Sequence, residues 1–454
     1  MKDITKWSIT VALAGFLFGF DTVVISGANQ PIQELWNTSP LFHGTFIMSM
    51  ALWGTVLGSL LGGIPTKKLG RKRTLFWIGI LFFISAIGSA FAPDPYSFSF
   101  FRFIGGVGVG ISTVAAPIYI SEITTAENRG RLGALYQFNI VFGILIAFVS
   151  NWLLKGVGGE ADWRWMLGVE AIPALAYTLM VMNVPNSPRW LLLQKKDSEG
   201  ALAVLNRMYD SDSSQRHLKE IRADAAQPKS SDNLFQKKYK KILWLGFLIA
   251  AFNQLSGINF VLYYAPQILE QAGLGGEESL FNSIAIGAVN LIFTLIGIRL
   301  IDHLGRKQLL IIGSIGYIIS LFMVGYCFQA SLSSTLLLVF ICMFIASHAV
   351  GQGAVIWVFI SEIFPNRVRA FGQSWGTSTH WVFAAIITLV TPSFISDRVV
   401  DGEKVGIFAD NLEIIYYFFA GMMVLQLLWA IFKMPETKGV SLEELEKKLI
   451  EDGE

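Results

Sequence analysis

Apolar residues run along this chain in long blocks, each closed by charges or by a Gly- or Pro-rich break. A helix of about 20 mostly apolar residues crosses a bilayer, and twelve blocks reach that length. They begin near Trp7, Thr45, Thr74, Ser97, Leu132, Trp163, Ile242, Leu280, Leu309, Thr335, Phe371 and Ile414. An even number of crossings puts both termini on one side. Lys67, Lys68, Arg71, Lys72 and Arg73 crowd the connection between the second and third blocks, and Arg306 and Lys307 that between the eighth and ninth. Basic loops are retained in the cytoplasm on insertion, so these loops and both termini are expected there.

One long hydrophilic stretch, Pro185 to Lys241, separates the sixth block from the seventh. It mixes charges with helix formers, as in QKKDSEGALAVLNRMY, which predicts short surface helices. The tail SLEELEKKLIEDGE opens with Ser441 and has Glu444 three residues on, a capping box that predicts a short amphipathic cytoplasmic helix. The expected organisation is a six-helix bundle over 1–184, a cytoplasmic linker over 185–241, a second six-helix bundle over 242–433 and a tail helix over 434–454. The two bundles echo each other. KKLGRKRTL at Lys67–Leu75 is answered by DHLGRKQLL at Asp302–Leu310, SEITTAENRGR from Ser121 by SEIFPNRVR from Ser361, and VPNSPRWL from Val184 by MPETKGVSL from Met434. Parallel repeats of this kind occur in transporters whose substrate site lies between the halves near the bilayer midplane.

Composition points the same way. Apolar residues make up 53% and charged residues 15%, against about 25% charged in soluble domains; mean hydropathy is +0.53. A net charge of +2 argues against a nucleic-acid or strongly acidic partner. Cys327 and Cys342 both fall in apolar runs and read as small hydrophobes, without disulfide or metal spacing. The sequence shows no Walker motif, metal cluster or nucleophile arrangement, so no cofactor, no metal and no enzymatic chemistry are expected. The first block is long enough to span, and no convincing cleavage site follows a short apolar core. The sequon at Asn37 is a match by pattern only.

The repeated phrases, together with FGFDTVVISG, FFRFIGGVGVG, VPNSPRWLL, NQLSGINFVLYYAP, VIWVFISEIFPNRVR and MPETKG, resemble the sugar-porter branch of the major facilitator superfamily over nearly the whole chain. Within that branch the pattern is similar to bacterial proton-coupled symporters of the D-xylose type. It is more distantly similar to facilitative glucose carriers, which have Asn where this chain has Asp21. The resemblance implies an all-α fold of twelve transmembrane helices in two pseudo-symmetric six-helix bundles. It also implies proton-coupled transport of a pentose or hexose by alternating access, with a monosaccharide, a proton and the lipid bilayer as partners. A functional monomer in a bacterial inner membrane is the expected state. Lys67 stands where the superfamily has Asp, Asn186 where it has Glu, Asn253 where the xylose type has Gln, and His380 where it has Gln or Asn.

Asp21 is the only formal charge between Trp7 and Ala28. A charge at that depth costs at least about 2.5–3.5 kcal/mol. If the first block ends near Ala28, Asp21 lies roughly 10 Å from its outer end, and Arg102 lies roughly 7–8 Å below the same face on the fourth block. Matched depth is equally compatible with a static ion pair and with a proton site; the resemblance assigns the pair to proton coupling. Neutral, hydroxyl-rich ligands call for amides and aromatic faces, and Gln137, Asn253, Gln254, Asn259, Asn290, Trp357 and Trp381 supply them. Any single buried amide serves as well for helix-to-helix bonding. The resemblance places all of these in a sugar site, with Phe18, Tyr263, Gly353 and His380. Glu170 and His348 read as structural polar groups. Apart from Asp21 and Arg102, Glu170 is the only other charge deep in a block, which argues against an ionic substrate.

Charges at the basic end form a further set: Arg71, Glu122, Arg129 and Arg189 in the first half, and Asp302, Arg306, Glu362 and Arg369 in the second. Such residues can simply fix topology. Glu122 and Arg129 are seven apart and share a face if one helix runs through both. The resemblance implies a cytoplasmic gate of ion pairs. A uniporter of the same fold, a non-transporting sugar sensor and a drug–proton antiporter are the competing readings. Asp21 speaks against the first and the amide set against the last.

Overall fold

The computed structural model describes residues 2–125, 129–226, 233–365, 367–400, 403–440 and 442–451. Its helices follow the apolar blocks. Span one is a single helix, Lys2–Leu35, which passes through Pro31 without ending. The helix therefore outruns the expected block, and Asp21 lies fourteen residues from its end (35 minus 21), roughly 21 Å and not 10 Å from the outer terminus. Span two is broken into Pro40–Phe42, a π-helical turn His43–Met48 and Met50–Leu61, with a bend of 40°. Spans three, four and five are Arg71–Phe91, Pro95–Ile123 and Arg129–Leu154.

Span six differs from the single helix expected: it is Asp162–Gly168 followed by Ala171–Val181. Pro173 has no N–H to offer the Val169 carbonyl. The Ile172 N–H takes that acceptor at 3.1 Å, and the chain tightens at Val169–Glu170. Span seven is Lys240–Leu255 and Ile258–Gln271, and span ten is Ser334–Val350 and Gln352–Ile363. Spans eight, nine, eleven and twelve are Gly276–Leu304, Arg306–Gln329, Arg369–Ile395 and Glu413–Phe432. Among the described residues ten helices are long and apolar enough to cross a membrane, eleven with the bent pair of span two; span six, in two pieces, brings the number to the twelve expected. A short ribbon, Val399–Val400 against Glu403–Lys404, precedes span twelve.

Between spans six and seven, Ser198–Leu205 and Ser211–Ala226 form surface helices around Leu192, Ala201, Leu205 and Leu218. Arg207, between them, pairs with Asp3 at 2.7 Å and covers the Trp7 ring, tying this segment to the start of span one. The tail helix covers Leu442–Glu446; its expected cap, Ser441, lies outside the described residues.

Backbone-to-backbone approach holds each bundle together. In the first, span one packs on span five and span two on span four; in the second, span nine packs on span twelve and span seven on span eleven. At Gly106 a Cβ would fall 1.8 Å from the Ala51 carbonyl oxygen, and at Gly19 one would fall 1.9 Å from that of Ile140. Without a hydrophobic drive between helices in lipid, small residues that admit such approach supply the packing.

The two bundles meet tightly at the end away from the termini. Gly44 lies against the Leu389 carbonyl of span eleven. The Asn29 amide donates to Gln267 Oε1 at 2.9 Å, and His43 Nε2 bonds Asn29 Oδ1 at 2.8 Å. Arg398 donates to the Thr38 carbonyl at 3.1 Å and bonds the Asn37 side chain. This end is closed.

Replacing Gly106 by Ala should destabilise the protein by about 1–3 kcal/mol, because the Ala51 carbonyl is backbone and must be pushed away. Gly63→Ala, whose Cβ would meet nothing within 4 Å, should be neutral or mildly stabilising. Thermal unfolding of the two variants in detergent checks this; equal melting temperatures would refute the packing account.

Candidate functional site

Two helix breaks shape the region between the bundles. Span seven parts at Ser256–Gly257, where Gly257 takes φ +86° and any Cβ would strike the Phe419 ring. Asn253 and Gln254 end its first piece; Asn259 and Tyr263 sit on the second. Span ten parts at Gly351, with Gly353 and Trp357 just beyond. Broken helices of this kind free polar backbone and side chains at membrane depth only where a cavity or other protein satisfies them.

Six of the expected binding residues come together. Phe18, from the first bundle, lies 5.6 Å from Trp381 between ring centroids; His380 lies 4.8 Å from Trp381 and 4.9 Å from Trp357. Gln254 Nε2 bonds the His380 ring at 3.1 Å and Asn253 Oδ1 at 3.1 Å. Two buried polar atoms here have no partner, Gln254 Oε1 and Trp381 Nε1. Leaving such a group unpaired costs about 1–3 kcal/mol, so the cluster has one acceptor and one donor ready for a ligand. Trp357 remains 37% exposed beside them. Gln137 is half-buried on span five, Asn259 and Asn290 are buried on spans seven and eight, and Gly353 backs onto the His348 carbonyl. None of these four touches the aromatic cluster through a hydrogen bond or ring contact among the described residues. His348 bonds the Tyr317 hydroxyl and stands near the His380 ring.

Asp21 and Arg102 are in direct contact despite the longer helix. Arg102 Nη1 donates to Asp21 Oδ1 at 2.5 Å and Nη2 to the Asp21 carbonyl at 3.0 Å, with both side chains buried. Gly105 leaves the room: a Cβ there would approach Asp21 Oδ1 at 3.5 Å and Ser85 Oγ at 2.4 Å. Glu170, set aside on sequence as a structural group, is buried beside this pair at the break in span six, and its Oε1 has no partner. Tyr263, expected among the sugar ligands, also sits by Asp21 and Arg102, next to Thr22. It joins the ion cluster to span seven.

Sequence reasoning missed two amides. Gln352, at the start of the second piece of span ten, and Gln426 of span twelve are fully buried and bonded to each other; Gln426 also donates to Ser314 Oγ at 2.8 Å. The available signal was their position as lone amides inside otherwise apolar runs. Among the described residues no group of three or more His, Cys, Asp or Glu is placed to hold a metal.

At the end bearing the termini the ion pairs Arg71–Glu122 and Arg306–Glu362 each lie inside one bundle. Arg71 Nη2 donates to Glu122 Oε1 at 2.7 Å, and Ser187 Oγ to Glu122 Oε2 at 2.6 Å. Arg306 grips Glu362 with two N–H groups, at 2.7 and 3.1 Å. Arg369 Nε donates to the Phe364 carbonyl, Arg189 lies in the short helix Pro188–Trp190, and Asp302 is exposed with no ion pair among the described residues. The expected shared face of Glu122 and Arg129 does not form. Span four ends at Ile123, where β-branched Thr124 turns extended (φ −109°, ψ 147°), and Arg129 opens the next helix; its side chain lies outside the described residues.

The halves differ at one point. Gly305 takes φ +88°, and Glu436 fills the space a Cβ would need, accepting the Arg306 and Lys307 N–H groups at 3.0 Å. At the matching Gly70 (φ +87°) the Trp190 ring fills that space instead. Partial burial alone would raise the Glu436 carboxyl, but backbone N–H groups from Lys438, Arg306, Lys307 and Thr437 outweigh it and hold it below the ordinary carboxylate range.

Two six-helix bundles, shut at one end and carrying broken helices and buried polar groups between them, define a secondary transporter of the major facilitator fold. Residues 7–449 match the family described as sugar (and other) transporter, and the chain belongs to that family. It is 35% identical to the glucose transport protein of Synechocystis, over 98% of this chain and 97% of that one. Identity to the arabinose-proton symporter of Bacillus subtilis is 33%, over 97% and 94%. The structure is similar to the inward-open conformation of the xylose transporter from E. coli, with a TM-score of 0.84 and 30% identity over 98% of this chain and 99% of that one.

Because Glu436 is held low by the folded state, its stabilisation is complete above the ordinary value of 4.5 and is lost as pH falls through the lowered folded value. Glu436→Gln should lower stability at neutral pH by roughly 0.3–1 kcal/mol, through loss of a negative charge at a helix N-terminus. The gap to wild type should narrow as pH falls below 4.5 and close once it passes the lowered folded value. Melting curves across pH 3–8 check both; a gap that persists in acid would remove the charge from the argument.

Proposed function

We propose that this protein is a proton-driven monosaccharide symporter. It works by alternating access in a cell's inner (plasma) membrane, with both termini cytoplasmic. The observation that carries this reading is the juxtaposition of two buried groups of residues. One is neutral, with an unpaired Gln254 acceptor and an unpaired Trp381 donor among aromatic rings, chemistry suited to hydroxyls and C–H faces. The other holds two carboxyls against a single guanidinium. Fully ionised, that cluster would carry an uncompensated negative charge at membrane depth, so binding a proton relieves it.

Coupling follows from which groups share helices. Asp21 is on the same helix as Phe18, and Tyr263 is on the same broken span as Asn253 and Gln254. Rocking one bundle against the other around a sugar therefore also moves Tyr263 relative to Asp21 and Arg102, which share the first bundle. Withdrawing the Tyr263 hydroxyl and admitting water changes how readily the carboxyl cluster holds a proton. Each proton driven inward contributes about 2.3 kcal/mol per 100 mV of membrane potential. The inward-open relative supports reading the end with the termini as the open, cytoplasmic one. Arg71, Glu122, Arg306 and Glu362 form the gate at that end, within each bundle in this state and rearranging when it closes. The monosaccharide passes unchanged, the protein acts as a monomer, and no covalent step is assigned.

Labelled-sugar uptake into proteoliposomes, with and without an imposed proton gradient, tests the reading. Wild type should concentrate sugar only with the gradient. Asp21→Asn should lose accumulation while still exchanging labelled for unlabelled sugar, since Asn mimics the protonated acid. Proton-driven accumulation by well-folded Asp21→Asn protein would show that the ion pair is only structural. Gln254→Ala should weaken sugar binding about tenfold or more; wild-type affinity in that variant would move the site elsewhere.

A further inference from the structure

The amides beside the aromatic cluster form a chain in which every link donates in the same direction. Gln254 Nε2 donates to Asn253 Oδ1 at 3.1 Å, Asn253 Nδ2 to Gln352 Oε1 at 3.5 Å, Gln352 Nε2 to Gln426 Oε1 at 2.5 Å, and Gln426 Nε2 to Ser314 Oγ at 2.8 Å. All five side chains are buried, and they link spans seven, ten, twelve and nine. An amide offers two donors at one end and an acceptor at the other. Fixing the far end of such a chain therefore fixes the orientation of every member. At the near end both N–H groups of Gln254 are engaged, one by Asn253 and one by the His380 ring, whose facing nitrogen must be unprotonated to accept. What is left over is Gln254 Oε1, buried and unpaired. The only other orphan in the cluster, the Trp381 indole N–H, can only donate.

We infer that Gln352 and Gln426 are positioning residues that lock Gln254 as a one-way acceptor and so set which hydroxyls the site accepts. This inference rests on the monosaccharide reading above. Reversing the amide of Gln254 would put its NH2 against the ligand and its oxygen against Asn253 Oδ1, an acceptor facing an acceptor; the chain excludes that arrangement. The bound sugar must then present an O–H that donates toward Gln254 and an oxygen that accepts from Trp381. The two positions are chemically distinguishable, because fluorine in place of hydroxyl cannot donate but still accepts weakly.

The test is competition by the monodeoxy and monofluoro derivatives of D-glucose and D-xylose against counterflow of each labelled parent sugar in proteoliposomes. In wild type, one ring position should lose about tenfold or more with either replacement. A second should lose clearly less with fluorine than with hydrogen. Gln352→Met keeps the bulk but cuts the chain, so Gln254 is free to turn. The fluorine penalty at the first position should shrink to within about threefold, while the second position keeps its pattern. Gln352→Glu should restore the wild-type pattern, because the protonated acid accepts from Asn253 Nδ2 through its carbonyl oxygen and donates its O–H to Gln426 Oε1. If Gln352→Met fails to fold, Ser314→Ala removes only the last acceptor and is read in the same way, with a smaller shift in the same direction. An unchanged pattern in the variants, or a uniform loss across all derivatives such as a purely structural role would give, overturns the relay and leaves the transport reading intact. Failure of the wild-type protein to carry either sugar overturns that reading and the relay together.

Discussion

A charge inside a bilayer must be paired, and pairing Asp21 with Arg102 constrains how the first bundle is built. The guanidinium reaches both the carboxylate and the carbonyl of one residue, so span four must approach span one closely at that level. Gly105 provides the space, and the backbone contacts at Gly19 and Gly106 hold spans five and two against the same helices. Removing Arg102 would leave Asp21 and Glu170 buried with no positive charge beside them, and burial of that kind typically costs about 3–5 kcal/mol. Glu170 adds a second carboxyl to this arrangement at the one place where span six is interrupted. The bundle is thus assembled around a site that is one positive charge short.

Much of the architecture was legible because lipid leaves little choice. Long apolar blocks, the repeated GRK and SEI phrases and basic loops on one side all follow from insertion and symmetry, and the family resemblance adds the two-bundle fold. What was not legible depends on local backbone chemistry. The continuation of span one beyond Ala28 was hidden by Gly27 and Pro31, which a neighbouring bundle tolerates inside a helix. Breaks in spans six, seven and ten arise from Pro173, Gly257 and Gly351, residues that elsewhere in this chain sit within unbroken helices.

The polar residues divide along the same line. Residue type and the family resemblance pointed to Asn253, Gln254, Trp357, His380 and Trp381 as a set, and the fold brings them together. Their mutual bonding depends on three-dimensional contacts among four spans, which no spacing in one helix encodes. For that reason the bond between Gln352 and Gln426, the place of Tyr263 by the ion pair and that of Glu170 beside Asp21 were not legible in the sequence. Each of these assignments turns on which neighbouring helix a side chain meets.

The closed end has a property of its own. Its seals are the Gly44–Leu389 backbone contact, the Asn29–Gln267 amide pair with His43, and Arg398 held by a carbonyl and an amide. None of these joins two opposite charges, so dissolved salt has little to screen there. The opposite end is organised by carboxylate–guanidinium pairs whose side chains keep 11–23% of their surface exposed, so dissolved salt screens them in part. Ionic strength therefore acts on the two ends unequally. Salt on the side where the termini lie weakens the pairs that organise that end, while the amide and backbone contacts named at the other end give it no ion pair to weaken.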